Sequence, residues 1–226
     1  MISVLFSIVE SHNLSRITQP INIGFPFAVG VLFSDTKLAV LYRDGRFVPC
    51  QVYPLTFWHD GSVKWAMIDF IVDISCNETL LLKLTEHFSG EDISSRPSQI
   101  KVLDNNNQVE IDTGLETFTI GTSQGEPLSI FSSELSKQGN ENLSIELINS
   151  KSEKFKAVID NVSVDLGGGA THRKYLTING SFNDENEKRS GLKFESTLTF
   201  FANTSYIKVD LTLHNPEAAQ HPGGVW

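Results

Sequence analysis

The stretch Phe57-Trp58-His59-Asp60-Gly61-Ser62-Val63-Lys64-Trp65-Ala66-Met67-Ile68-Asp69-Phe70 constrains this chain more than any other. It reads as strand, tight turn, strand. Asp60-Gly61 is a hairpin signal, because a tight turn needs positive φ and Gly adopts it without a Cβ clash. After the turn, Val63, Trp65 and Met67 alternate with Lys64, Ala66 and Ile68, the two-residue period of a strand. Both sets are largely apolar, so the reading covers both faces and puts Trp65 in the core.

The rest of the chain extends this reading. Its 226 residues are 40% hydrophobic and 20% charged, enough apolar material for a large domain or two small ones. Fifteen Phe against two Met suit sheets better than helix bundles. No helical 3.6-residue pattern longer than two turns occurs. Residues 2–10, 21–25, 37–42, 47–53 and 79–85 read as short strands, with Asp44-Gly45 as a second turn. Pro26 cannot donate to a ladder, so the segment it closes should end there or lie at an edge. The run from His87 to Pro97 is polar and broken by Pro, which sets a domain boundary near residue 90. Beyond it, 99–103, 108–111, 115–120, 128–131, 144–148, 155–164, 173–182, 192–201 and 206–213 read as strands of an antiparallel sandwich. Residues 155–164 are read as a clean alternation. The expectation is an all-β chain with domains at 1–90 and 91–226.

Charge and termini exclude some functions. A net charge of −9 argues against nucleic acid or an anionic membrane surface as partner. No apolar run reaches the roughly 18 residues of a membrane span. Residues 1–9 lack a basic start and a cleavage site, so they read as a first strand and the chain as cytoplasmic. Cys50 and Cys76 are the two cysteines. They read as free buried thiols, or as a single bridge if their strands pair.

No motif announces catalysis. Neither Gly-x-Ser-x-Gly nor a Cys-His signature is present, and no carboxylate pair stands out from the acidic background. Gly167-Gly168-Gly169 precedes a strand and not a helix, so it is a flexible turn and no phosphate cradle. His214, Glu217 and His221 share a Pro- and Gly-rich loop, which suits an ordered or docking loop better than zinc. No cofactor or metal is expected. Residues able to touch a sugar are Trp58 and His59 at the hairpin tip, His172 and Arg173 in the most basic cluster, and His214 and His221.

Three segments together resemble the N-terminal part of exo-rhamnogalacturonan-lyase-like proteins. They are Gly24-Phe25-Pro26-Phe27-Ala28-Val29-Gly30, Asp44-Gly45-Arg46-Phe47-Val48-Pro49-Cys50-Gln51, and Trp58-His59-Asp60-Gly61-Ser62-Val63-Lys64-Trp65. The closing His214–Trp226 loop is similar to one in the same proteins. The resemblance implies a small RIFT-type β-barrel, then a β-sandwich, then a C-terminal α/α-barrel supplying most of the catalytic cleft. That helical domain is missing from these residues. The expected function is therefore a non-catalytic N-terminal β portion of a polysaccharide-lyase-like protein, structural or contacting an acidic polysaccharide. Two alternatives stand beside it: an active lyase or hydrolase with a site between the β domains, and a protein-interaction module. The C-terminal region is expected either to self-associate or to form a mobile tail, with self-association favoured because Ile207, Val209 and Leu211 share one apolar face.

Overall fold

A computed structural model describes residues 2–48, 50–86, 100–133, 144–165, 172–184, 186 and 189–216. The chain divides into two compact units, Met1–Pro97 and Ser98–Trp226. The boundary expected near residue 90 lies outside the described residues.

The first unit contains two antiparallel sheets. One has the order β1-β7-β3-β4, built from β1 (Ser3–Val9), β7 (Thr79–Glu86), β3 (Leu38–Tyr42) and β4 (Phe47–Val48). The other has the order β2-β6-β5, from β2 (Arg16–Pro26), β6 (Val63–Ile74) and β5 (Cys50–Phe57). β2 ends at Pro26 and lies on an edge, as a strand closed by Pro must; Pro20 sits within it and Pro54 within the opposite edge strand β5. Two-residue periodicity selects the core. Ala66, Ile68, Phe70 and Val72 of β6 are buried with Leu82 and Leu84 of β7 and Val40 and Val48. Phe6 meets Phe25 and Phe70 edge-on, at centroid distances of 5.2 and 6.1 Å.

β6 corrects the first reading of the hairpin. Its ladder with β5 shifts register between Pro54 and Thr56 and again between Thr56 and Phe57. These irregularities switch the inward parity from Val63 to Ala66. Trp65 therefore lies on the outer face, 41% exposed, instead of in the core. There it packs across Gly24, where an added Cβ would stand 3.6 Å from the indole ring.

The second unit is a two-sheet sandwich. β8 (Lys101–Asn105), β9 (Gln108–Asp112), β10 (Thr117–Gly121) and β11 (Ile130–Ser132) form the sheet β11-β10-β9-β8. β12 (Glu146–Ile148), β13 (Lys154–Asp165), β14 (Arg173–Asn183), β15 (Arg189–Phe201) and β16 (Ile207–His214) form a meander in chain order. Val109, Ile111, Phe118 and Ile120 are buried from one sheet, and Ile159, Leu176, Ile178, Phe194, Leu198 and Phe200 from the other. The Phe118 and Phe200 rings meet across the layers at 5.5 Å. Asn203 N–H donates to Thr113 O at 2.7 Å and Thr113 Oγ1 donates to Thr204 O at 2.6 Å, tying the sheets at one end.

β13 is not a clean alternation. Its register against β14 breaks between Ile159 and Asn161, leaving Asp160 as the extra residue of a bulge. A second irregularity lies between Ser181 and Asn183 in the ladder of β14 with β15.

Cys50 and Cys76 are both free thiols. Cys50 is partly buried, and burial pushes its thiol up to about 11. Cys76 is exposed, because it sits in the turn after β6 and not in a strand, which corrects its expected burial.

Candidate functional site

The hairpin tip is a closed set of bonds. Trp58 N–H donates to Ser62 O at 2.7 Å and Gly61 N–H to Trp58 O at 3.0 Å. With Gly61 at φ +81°, this is a three-residue loop: a tight turn followed by a left-handed residue. Asp60 Oδ1 accepts from Ser62 N at 3.0 Å and from Ser62 Oγ at 2.6 Å. Those two bonds, the hydroxyl's first, hold the Asp60 carboxyl below the usual carboxylate range. Ser62, fully buried, also accepts from Gly30 N–H at 2.9 Å. Val63 N–H donates to Leu32 O at 2.7 Å, and Phe27 N–H to Lys64 O at 2.9 Å. The turn thus anchors the 27–33 loop.

Of the two side chains expected to touch a sugar at this tip, Trp58 is engaged by the chain itself and His59 is exposed. Trp58 is half-buried; its indole N–H donates to Phe27 O at 2.9 Å, and Lys64 Nζ lies 4.5 Å from its ring centroid. A sugar stacking on that side must first displace the ammonium. His59 is exposed at the loop apex.

Of the remaining candidates, in the second unit, the described ones fall at opposite ends of the β15 ladder, His172 and Arg173 at one and His214 at the other. His172 is only 6% exposed, and burial pushes its pKa down, which favours the uncharged imidazole. Its Nδ1 is buried without a hydrogen-bond partner among the described residues. This departs from the basic cluster expected at His172-Arg173-Lys174. The Arg173 guanidinium lies over the Tyr175 ring at 4.6 Å. His214 is exposed at the end of β16. Arg173 pairs with Phe201 of β15, whereas His214 pairs with Lys193. These partners are eight residues apart along one strand, about 27 Å at about 3.4 Å per residue. His221 and Glu217 lie outside the described residues, as do Gly167-Gly168-Gly169. Among the described residues no group of three or more His, Cys, Asp or Glu is placed to hold a metal ion.

Other features were missed from the sequence. A polar cleft of about 530 Å³ is lined by Glu126, Lys154, Lys156, Asp160, Asn183 and Asp184. The β13 bulge delivers Asp160 to it. The bulge was legible, since the apolar positions pass from odd (Phe155, Ala157, Ile159) to even (Val162, Val164) at Asp160. In the first unit, buried Glu10 gathers N–H donors from His12 (2.9 Å), Asn77 (3.1 Å) and Leu14 (3.2 Å), with Arg16 Nε at 3.7 Å. Burial raises its pKa, but the three N–H bonds and the Arg16 charge outweigh it and leave the carboxyl below its ordinary value. An apolar groove of about 670 Å³ runs over Leu5, Leu41, Tyr42 and Leu81, with Lys83 among them. The cleft offers hydrogen bonds and two ammonium groups; the groove offers hydrophobic contact. Neither holds a described His or Cys.

No curated protein matches this chain. Residues 9–83 match the PcRGLX-like N-terminal RIFT barrel domain, and the matched span runs from the end of β1 through most of β7. The first unit is a RIFT barrel of this type, consistent with the N-terminal region of an exo-rhamnogalacturonan-lyase-like protein.

Proposed function

We propose that these residues are a non-catalytic β portion of a polysaccharide-lyase-like protein, with a structural role. The observation that carries this reading is the fate of the Trp58–Trp65 motif. Asp60, Ser62 and the Trp58 indole N–H bond to the chain itself. Trp65 covers Gly24. A motif that spends its polar atoms on anchoring a neighbouring loop serves the barrel's architecture.

β-Elimination on a uronic-acid polymer needs a base at the proton next to the carboxylate and a group that neutralises that carboxylate. Among the described candidates of the second unit, Arg173 and His214 lie too far apart along β15 to share one sugar ring. The test is ultraviolet absorbance of purified protein incubated with rhamnogalacturonan and with polygalacturonate. No time-dependent rise from an unsaturated uronate is expected; a rise proportional to protein concentration would overturn the reading.

A second reading, contact with acidic polysaccharide, rests on Lys154 and Lys156 in the polar cleft, where an acidic sugar has to bind at the two ammonium groups and clear of the carboxylates of Glu126, Asp160 and Asp184. Titration calorimetry with the same polymers separates the two. Heat that disappears in the Lys154→Ala/Lys156→Ala variant supports contact, and no heat refutes it.

A further inference from the structure

The first unit turns apolar side chains outward where a half-solvated sheet ordinarily carries polar ones. In β7, Leu82 and Leu84 are buried, so Leu81 and Lys83 lie on the outer face. Lys83 pairs with Leu5 of β1 on one side and with Leu41 of β3 on the other, and Leu81 pairs with Ser7. Directly paired residues share a face of the sheet, so Leu5, Lys83 and Leu41 form one row and Ser7 and Leu81 the next. Leu5 is 80% and Leu81 48% exposed. The two rows bound the groove of about 670 Å³, and Arg43 and Gly45, in the turn after β3, form part of its wall. That volume falls in the range of about 300–1,000 Å³ typical of small-molecule sites.

The charge of the groove is opposite to that of the chain. Asp and Glu outnumber Lys and Arg by 27 to 18, yet the groove is lined by two cations, Lys83 and Arg43, and by no carboxylate. Neither cation has an ion-pair partner among the described residues; Asp44 of the adjoining turn is paired with Arg46, Oδ2 to Nε at 2.7 Å. Lys83 is half-buried in its row of leucines. A neutral apolar molecule laid there would cover an ammonium without neutralising it, which is costly. A small hydrophilic anion would meet the charge and gain nothing from Leu5, Leu41 and Leu81. A molecule with both parts gains from burial of its body and from charge-assisted bonds to its carboxylate.

We propose that this groove is a binding site for an apolar carboxylate, a small molecule whose carboxylate sits at Lys83 and Arg43 and whose body lies over Leu5, Leu41 and Leu81. In the strand order β1-β7-β3, the outer two strands are two spacings apart, about 9.5 Å, which sets the length of body the face can seat.

Octanoate is the probe, and 1-octanol and acetate supply its apolar and charged parts separately. Backbone amide NMR shifts on the full chain read both affinity and place. Octanoate is expected to shift the amides of Leu5, Ser7, Leu41, Leu81 and Lys83 saturably. Acetate and 1-octanol are expected to bind about tenfold more weakly or worse. Lys83→Met keeps an apolar stem and removes the charge; it should weaken octanoate about tenfold and leave 1-octanol no weaker. Leu5→Ser, at a strongly exposed position where the fold is not at stake, should weaken octanoate and leave acetate as in the wild type. Absence of saturable shifts in the wild type overturns the proposal. So do octanoate shifts centred elsewhere, acetate or 1-octanol binding as tightly as octanoate, or an octanoate affinity that Lys83→Met or Leu5→Ser leaves unchanged.

Discussion

Ser62→Ala is the sharpest perturbation of the barrel, since it deletes one oxygen at a fully buried position and leaves the backbone path unaltered. That oxygen accepts from Gly30 N–H at 2.9 Å and donates to Asp60 Oδ1 at 2.6 Å. Without it the Gly30 amide, held in place by the 27–33 loop, has lost its acceptor. Gly30 itself is exposed, so water can take its amide, and the loss is that of the hydrogen bond, about 0.5–1.5 kcal/mol. For a domain of this size each kcal/mol lowers the Tm by about 4–8 °C, so a loss near 1 kcal/mol moves it by about 4–8 °C. Urea melts followed by tryptophan fluorescence, with matched thermal melts, give both numbers. Hydrogen exchange adds a local readout, in which the Gly30 and Val63 amides should lose protection together because both belong to the same latch. A Ser62→Ala protein whose urea midpoint matches the wild type would refute the reasoning and show that the 27–33 loop is held by the Val63–Leu32 and Phe27–Lys64 bonds alone.

Two further outcomes follow from packing and from thiol environment. Gly180→Ala should destabilise the sandwich by about 3 kcal/mol or more, because the new methyl would collide with Val158 O and the Phe194 ring, which is braced by Phe182 at 5.2 Å; a denaturant midpoint within error of wild type would show that this packing is looser than described. With a thiol-reactive dye at neutral pH, one fast equivalent is expected from exposed Cys76, while Cys50, partly buried and raised to about 11, should react far more slowly in the native protein; two fast equivalents in the native protein, or one that survives Cys76→Ser, would contradict this.

Strand positions were legible because two-residue periodicity is a direct image of burial. In β7, Leu82 and Leu84 are buried, while Leu81 and Lys83, at the alternate positions, are not. Pro26 read as a strand end and is one. The same logic failed where a bulge changes parity. Trp65 is a large apolar residue in a strand, and propensity alone assigns it to the core. The register shifts at Thr56 and Phe57 turn it outward, and they arise from ladder geometry that no single side chain announces. At Asp160 the change of parity was visible in the apolar positions, but a strand read as one period conceals it. The candidate site was less legible still. Basicity at His172 is a property of composition only until burial decides its protonation. Whether His172 and His214 share a site depends on ladder register, which spaces them along β15.

The two Asp-Gly turns show how the hairpin motif builds the first unit. Asp44-Gly45 and Asp60-Gly61 build the same loop. Tyr42 N–H donates to Arg46 O at 2.9 Å as Trp58 N–H donates to Ser62 O at 2.7 Å. Gly45 and Gly61 each adopt positive φ, at 87° and 81°. Asp44 Oδ1 accepts from Arg46 N at 3.0 Å as Asp60 Oδ1 accepts from Ser62 N at 3.0 Å. The backbone chemistry is thus common to both, and the difference lies in the residue after the glycine. Arg46 is long and charged; it folds back on Asp44 through Nε at 2.7 Å and stays in solvent. Ser62 is short enough to be buried completely and still reach Gly30. A turn with Arg in that place ends a hairpin at the surface, and a turn with Ser binds a second segment of chain. The specificity of Trp-x-Asp-Gly-Ser-x-x-Trp therefore resides in Ser62 as a latch and Trp65 as a cover for Gly24. Both roles are met within the barrel by contacts that require no ligand.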